Sequence, residues 1–306
     1  MPRAVAITVA AILIACSGPD RQARPPTEDG PVGPVALTVN YPLAYLAQRI
    51  AGDAVAVRFP APVEVDPAFW QPDDEIVGAY QSAHLVLLNG AGYAKWLDVV
   101  TLPGSRLVDT SASFRDRYLT VEGTVTHSHG PQGEHSHEGT AFTTWLDPQL
   151  AIEHTLAIES ALSERWPEHE QDFRARMNSV EADLLGLHAA LSAATARAGS
   201  RPIVASHPVY QYLAAAYDLN VRSVQWEPDE LPSASQWSDF QRLLREHPAS
   251  LMLWESEPLP ETSEYLDSLG VTVVVFDPAA NVPPEGDFLS VMRRNVESLA
   301  DALAGE

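Results

Sequence analysis

The sequence predicts an α/β protein of two lobes, each a mostly parallel four-stranded sheet flanked by helices, joined by one long backbone helix. Two observations predict this fold. In both halves of the chain, short β-branched runs alternate with helical stretches, which is the order that produces a parallel sheet covered by helices. Between the halves, an apolar seam recurs at spacings of three and four residues for about five turns.

The first half contains two helix candidates among its strands. Pro42 opens a helix whose apolar face includes Leu46 and Ile50, and Asp73 begins another that runs to residue 83. The four predicted strands are residues 36–39, 55–59, 85–88 and 107–108.

The second half repeats this rhythm. Its predicted strands are residues 203–205, 221–224, 251–254 and 271–276. The helical stretches between and after them are residues 208–217, 235–245 and 261–269, with a closing helix from about Asp287.

The clearest helix lies between the halves. Pro167 stands at its first turn, and at 1.5 Å per residue a helix from there to about residue 198 is on the order of 45 Å long. We expect its seam to be core packing; the seam residues are Phe173, Met177, Val180, Leu184, Leu187 and Leu191.

The first residues indicate the compartment. Arg3 precedes an apolar run, residues 4–15, that is too short to span a bilayer but typical of a secretory signal. The run ends at Cys16, the chain's only cysteine, in a pattern that resembles a bacterial lipoprotein cleavage site. We therefore predict a signal peptide over 1–15, a lipid-modified Cys16 that anchors the protein to a membrane, and a flexible tether over 16–34.

The overall charge argues against one class of partner. The formal net charge is −22, and Lys95 is the only lysine. Such a chain has little with which to neutralise a phosphate backbone, so nucleic acid is not an expected partner.

Residues 126–139 contain four of the ten histidines and almost no apolar side chains. Such a segment cannot bury a core face, and neutral imidazole is a common zinc ligand. The composition predicts a metal-catching loop, with a His-rich polar linker as the alternative. Its candidate ligands are His127, His129, His135 and His137.

Several motifs, in order, resemble the zinc and manganese solute-binding proteins of bacterial ABC importers. They are Trp145-Leu146-Asp147-Pro148, Ala205-Ser206-His207-Pro208, Glu230-Leu231-Pro232-Ser233 and Phe276-Asp277-Pro278. The resemblance covers residues 35–306 and implies a metal held in the cleft between two lobes. It also implies a monomeric receptor on the periplasmic or extracytoplasmic face of a bacterial membrane, with an importer permease as its partner.

The strand and helix pattern divides the chain into an N-terminal lobe at 35–165, a linking helix at 166–199 and a C-terminal lobe at 200–306. The resemblance implies four ligand positions, of which two are kept. His207 matches the third and Asp277 the fourth, whereas Ala68 and Thr143 stand where the family has its first two histidines.

Three interpretations of this departure remain open. In the first, loop histidines fold over the cleft and fill the vacant positions. In the second, other side chains complete the site; the candidates are Glu255, Glu64, Asp66 and Glu227. In the third, the cleft no longer binds metal tightly, and Phe69 and Trp70 mark a site adapted to another ligand or a partner.

The density of histidine favours Zn²⁺ over Mn²⁺, because imidazole-rich sites suit zinc and carboxylate-rich sites suit manganese. An enzyme is not expected, because the chain lacks a His-Glu-x-x-His helix and a Gly-x-Ser-x-Gly elbow, although a secreted zinc hydrolase is an alternative. A periplasmic zinc chaperone or buffer acting through the loop is a further alternative. The remaining helical histidines, His154, His169, His188 and His247, are expected to be solvated.

Overall fold

The computed structural model describes Met1, residues 33–121 and 139–304, and the backbone of 126–128 and 134–136. Cys16, the predicted signal peptide and nearly all of the predicted tether lie outside the described residues, as do His129 and His137. Within the described ranges, no helix is both long and apolar enough to cross a membrane.

The N-terminal part is built on a four-stranded sheet in which every neighbouring pair is parallel. The strands are β1 (Val35–Thr38), β2 (Ala56–Arg58), β3 (Leu85–Leu88) and β4 (Leu107–Asp109), in the order β2-β1-β3-β4. Its helices are α1 (Tyr41–Ala51) and α2 (Asp74–Ser82). Each helix begins at a side-chain cap, since Asn40 accepts the amide of Leu43 and Asp73 accepts the amide of Ile76.

Two antiparallel ribbons follow. The first pairs β5 (Thr120–Val121) with β8 (Gly139–Thr140), and between them β6 (Thr126–Ser128) pairs with β7 (Glu134–Ser136). The β5–β8 pair therefore closes the base of the segment that contains the loop histidines.

Two long helices come next, α3 (Pro148–Arg165) and α4 (Glu170–Thr195). Asp147 caps α3 by accepting the amide of Gln149. All six predicted seam residues of α4 are buried, so the prediction of a core-packing helix is confirmed. The helix has 26 residues and is about 39 Å long, shorter than predicted, because residues 167–169 form a separate 3-10 turn before it.

The C-terminal part repeats the first sheet. Its strands are β9 (Pro202–Ala205), β10 (Asn220–Ser223), β11 (Leu251–Trp254) and β12 (Thr272–Val275), all parallel in the order β10-β9-β11-β12. Its helices are α5 (Gln211–Ala216), α6 (Ala234–Glu246), α7 (Pro260–Ser268) and α8 (Phe288–Ala304). The predicted helix at 208–217 is shorter in the structure, because it begins only after the turn that follows β9.

One hydrophobic core runs through both sheets and α4. It includes Leu37 of β1, Leu184 of α4 and Leu253 of β11, all at most 3% exposed. Two four-stranded parallel sheets, flanked by helices and linked by α4, are therefore the architecture that the sequence predicted.

Two of the histidines expected to be solvated are buried, so that expectation was wrong for them. His154 is 0% exposed and contacts the hydroxyls of Thr110 and Thr144 through its two ring nitrogens, at 2.7 and 2.8 Å. His247 is 4% exposed, with Nε2 at 2.9 Å from the carbonyl oxygen of Ile203. Both imidazoles are structural members of the core.

Candidate functional site

Three predicted site residues follow neighbouring strands of the second sheet. His207 comes two residues after β9, Glu255 directly after β11 and Asp277 two residues after β12. The carboxyl ends of parallel strands meet at one edge of a sheet, where open α/β folds bind ligands. The fold therefore brings these three side chains to the wall of one cavity.

The cavity has a volume of about 410 Å³ and is lined by residues of both lobes. The described residues that line it include one imidazole, His207, and no lysine or arginine. Its carboxyl groups belong to Glu64, Asp66, Glu227, Asp229, Glu255 and Asp277. A cavity with this excess of negative charge favours a cationic ligand.

His207 lies between two carboxylates. Its Nδ1 is 3.0 Å from Oε1 of Glu255, and its Nε2 is 3.9 Å from Oε1 of Glu227. Burial alone would lower the pKa of His207, but the charges of Glu255, Glu227 and Asp66 outweigh it and raise that pKa. In the neutral ring, a proton on Nδ1 faces Glu255, and the lone pair of Nε2 is left on the side of Glu227.

This geometry resembles the way proteins orient a metal-binding histidine. A carboxylate at one ring nitrogen commonly fixes the tautomer and directs the other nitrogen to the metal. Glu255 therefore fits the role of the orienting partner, and Glu227 lies on the side of the other ring nitrogen. The side chain of Glu227, one of the candidates named from the sequence, is only 19% exposed.

Asp277 is held by its own turn and by α8. Its Oδ1 accepts the amide of Ala279 at 2.7 Å, and the side chain of Asn295 bonds the amide and the carbonyl of Asp277. Burial raises the pKa of Asp277, and the nearby charge of Glu255 raises it further. A cation beside this carboxyl group would reverse both effects by favouring its charged form.

The two positions where histidines are missing are closed by packing. Ala68 is 0% exposed, and Thr143 is 4% exposed with its hydroxyl donating to the carbonyl oxygen of Val209 at 2.5 Å. Nearby, the indole of Trp145 donates to the carbonyl oxygen of Pro278 at 2.7 Å. Ala68 is therefore part of the packing of the first lobe, and Thr143 connects the lobes instead of supplying an imidazole.

The loop in front of the cavity comes from the first lobe and is tied to the second. The side-chain amide of Asn281 donates to the backbone carbonyl oxygens of Pro62 and Val65, at 2.7 and 2.8 Å. These two bonds bracket Glu64 and lie next to Asp66, so one side chain holds both carboxylates at the cavity.

Of the loop histidines, the structure gives only a backbone register for two. His127 of β6 is directly paired with His135 of β7 in this antiparallel ribbon. The β5–β8 pair closes the base of the same segment, and Thr140 of β8 is three residues before Thr143 at the cavity wall.

Within the described residues, no group of three or more His, Cys, Asp and Glu side chains is placed to hold a metal ion. The side chains of residues 126–137 are not part of that set. The structure thus brings His207, Glu255 and Asp277 into one cavity, together with the three other carboxylates that the sequence offered as candidates, Glu227, Glu64 and Asp66.

Two parallel-sheet lobes joined by one long helix, with an acidic cavity at the strand ends, define a two-lobed solute-binding protein. The chain belongs to the family described as zinc-uptake complex component A, periplasmic, which matches residues 37–302. By that description, members of this family are components of uptake complexes, so the expectation that the chain is not an enzyme is confirmed.

The chain is similar to the zinc-binding protein AdcA of Streptococcus pyogenes serotype M3, with 24% identity over 282 residues that cover 86% of this chain and 55% of AdcA. It thus spans about half the length of the first curated relatives that it matches. It is also similar to SloC of Streptococcus mutans, a metal ABC transporter substrate-binding lipoprotein, at 22% identity over 88% of this chain and 89% of SloC.

Among solved structures, the fold matches the Zn(II)-bound ZnuA-like domain of Streptococcus pneumoniae AdcA. The TM-score is 0.74 at 19% identity, covering 88% of this chain and 98% of that one. At this identity the match supports the fold.

Proposed function

We propose that the protein is an extracytoplasmic receptor that captures Zn²⁺ in the interlobe cavity and delivers it to an ABC-type importer. The observation that carries the proposal is the position of His207, with one carboxylate at each ring nitrogen, in a cavity whose lining is acidic. The relatives named for zinc and for metal ABC transport support this class of cargo and partner.

The proposed ligands inside the cavity are Nε2 of His207 and the carboxylates of Asp277 and Glu227, with Glu255 orienting the imidazole. Three protein donors and an open fourth position would match the coordination that zinc accepts outside closed structural sites. Because the described side chains are not yet placed to hold an ion, the proposal requires these three groups to converge when zinc binds. The second interpretation of the sequence, in which carboxylates complete the site, is the one this geometry favours. Because carboxylates also suit harder ions, Mn²⁺ is the competing cargo.

The loop histidines are proposed as the capture stage. Cross-strand pairing of His127 with His135 brings two imidazole-bearing residues into register, and the sequence places His129 and His137 next to them. Lipid attachment at Cys16 would keep this receptor, a monomer, at the membrane beside its permease.

Zinc titration by calorimetry tests the proposal. We compare the purified protein with His207→Ala, with a deletion of residues 126–139, and with His169→Ala at the start of α4 as a matched control. The proposal expects one tight site, weakened on the order of 100-fold or more in His207→Ala and unchanged in the control.

The loop deletion separates the receptor from the chaperone. A receptor retains the cavity site without the loop, although capture becomes slower. If His207→Ala binds zinc like the parent while the loop deletion binds none, the cavity is not the site, and the protein is a zinc chaperone or buffer acting through its loop.

A further inference from the structure

Tyr93 is a cavity residue to which neither the sequence motifs nor the proposed ligand set assigns a role. It follows β3, lines the cavity and is 2% exposed. Its ring packs against those of Phe142 and Trp145, with centroid distances of 5.2 and 5.7 Å. These contacts hold the ring in one place, so the position of its hydroxyl is defined.

The hydroxyl of Tyr93 is buried and has no hydrogen-bond partner within the part of the chain that the structure describes. Such a group is costly, since it has lost its bonds to water without replacement. Two other buried tyrosines avoid this cost: Tyr80 donates to the carbonyl oxygen of Thr38 at 2.7 Å, and Tyr210 to that of Phe276 at 2.8 Å. Of these three tyrosines, Tyr93 is the one that lines the cavity, so a bound ligand is the partner available to its hydroxyl.

The chemistry of the phenol restricts what that partner is. Burial raises the pKa of Tyr93 well above its usual value, and the charge of Asp66 adds to this effect, so the phenol keeps its proton and acts as a donor. A metal cation cannot accept a hydrogen bond. An oxygen atom already bound to the cation can.

The cavity also has room for more than a bare ion. A water molecule occupies about 30 Å³ in the liquid, whereas the cavity has a volume of about 410 Å³. His207 and its neighbouring carboxylates occupy one side of this space, and the aromatic wall with Tyr93 belongs to the first lobe. A cation held by the carboxylates can therefore keep ligands of its own on the side of Tyr93.

We propose that Tyr93 is a ligand-binding residue of the cavity, whose hydroxyl donates a hydrogen bond to an oxygen atom that the bound divalent cation carries as its own ligand. That oxygen belongs either to a water molecule or to the carboxylate of a small chelating molecule. The inference rests on the proposed function, because it requires a cation in the cavity. In this arrangement His207 and the carboxylates bind the ion, and Tyr93 binds its co-ligand.

The test compares three proteins: the parent, Tyr93→Phe and Tyr80→Phe. Both substitutions remove one buried hydroxyl and keep the ring, but only Tyr93 lines the cavity. Zinc binding is measured by calorimetry in a non-coordinating buffer, and native mass spectrometry is recorded with equimolar zinc and L-histidine. The loop histidines are present in all three proteins and contribute equally.

A metal-bound water predicts that Tyr93→Phe binds zinc alone about five- to tenfold more weakly, whereas Tyr80→Phe binds it like the parent. A chelator oxygen predicts that the parent shows a zinc–histidine adduct that Tyr93→Phe loses. Thermal melting gives an independent signature, with a lower Tm for Tyr80→Phe and no loss for Tyr93→Phe.

Two outcomes overturn the inference, and they are distinguishable. If the parent binds zinc and Tyr93→Phe behaves like it in both measurements, Tyr93 has no role and the proposed function stands. If the parent binds no zinc with or without L-histidine, the proposed function fails and this inference fails with it.

Discussion

Acid should destabilise the protein through His154. Burial lowers the pKa of this imidazole from 6.5 to about 3, and its two nitrogens contact the hydroxyls of Thr110 and Thr144. The folded state therefore keeps His154 neutral, while the unfolded chain binds a proton below pH 6.5. Because the unfolded state binds more protons, the free energy of unfolding falls as the pH drops from 6.5 towards 3.

The magnitude follows from the two pKa values. pH 5 lies about 1.5 units below the pKa of 6.5 that the imidazole has in the unfolded chain. Proton binding at this pH therefore lowers the free energy of the unfolded state by about 2 kcal/mol. This value does not depend on the folded pKa as long as that pKa lies well below 5. The effect is large beside a typical total stability of about 5–15 kcal/mol.

The assay is urea unfolding, followed by tryptophan fluorescence at pH 7.5 and pH 5.0, for the parent and His154→Gln. Other titrating groups are common to both proteins, so the loss of stability between the two pH values should be about 2 kcal/mol smaller in His154→Gln. His169→Gln, at a partly exposed position, should behave like the parent. An equal acid-induced loss in the parent and in His154→Gln would refute the reasoning.

Four further predictions concern the cavity and the core. Glu255→Gln removes the charge next to Nδ1 of His207 and should weaken zinc binding about 10- to 100-fold by calorimetry; unchanged affinity would exclude Glu255 as the orienting group. Zinc needs neutral His207, and the neighbouring carboxylates raise the pKa of this imidazole, so protons compete with zinc increasingly as the pH falls through that raised pKa. Zinc affinity at pH 5.5 should therefore be at least about tenfold below that at pH 7.5, and equal affinities would contradict histidine ligation. Asn281→Ala removes two bonds to the loop at 62–65 and should speed amide hydrogen exchange there but not in β1; unaltered exchange would show that the loop is held by other contacts. Leu184→Ala should cost about 2–5 kcal/mol in urea unfolding, because the side chain is fully buried in the α4 seam, and a loss below about 1 kcal/mol would mean that the seam repacks.

Most of the fold could be predicted because its signals are local. The strands of both sheets are short β-branched runs, so no strand boundary differs from prediction by more than one residue. The seam of α4 repeats with the helical period. The error at His154 came from reading its charged neighbours, although its helical spacing from Leu150 and Ile158 places it on the buried face.

The candidate site was predictable to the extent that it follows strand ends. His207, Glu255 and Asp277 each come directly or two residues after a strand, and the carboxyl ends of parallel strands converge. Glu227 lies farther from β10 in an acidic turn, and its proximity to His207 depends on tertiary packing. The position of Tyr93 likewise depends on tertiary packing, because its ring contacts those of Phe142 and Trp145, about fifty residues later in the chain. No local pattern specifies these contacts.

The hydrogen bonds between the lobes have a kinetic consequence. The Trp145 indole, the Thr143 hydroxyl and the amide of Tyr41 each donate to a carbonyl oxygen of the C-terminal lobe, and α4 runs between the sheets as one uninterrupted rod. A clamshell motion would have to break these bonds together. For the ion of the proposed function, the residence time in the cavity would then be governed by stepwise exchange of its ligands. An acceptor would unload such a receptor by offering replacement donors one at a time at the cavity mouth.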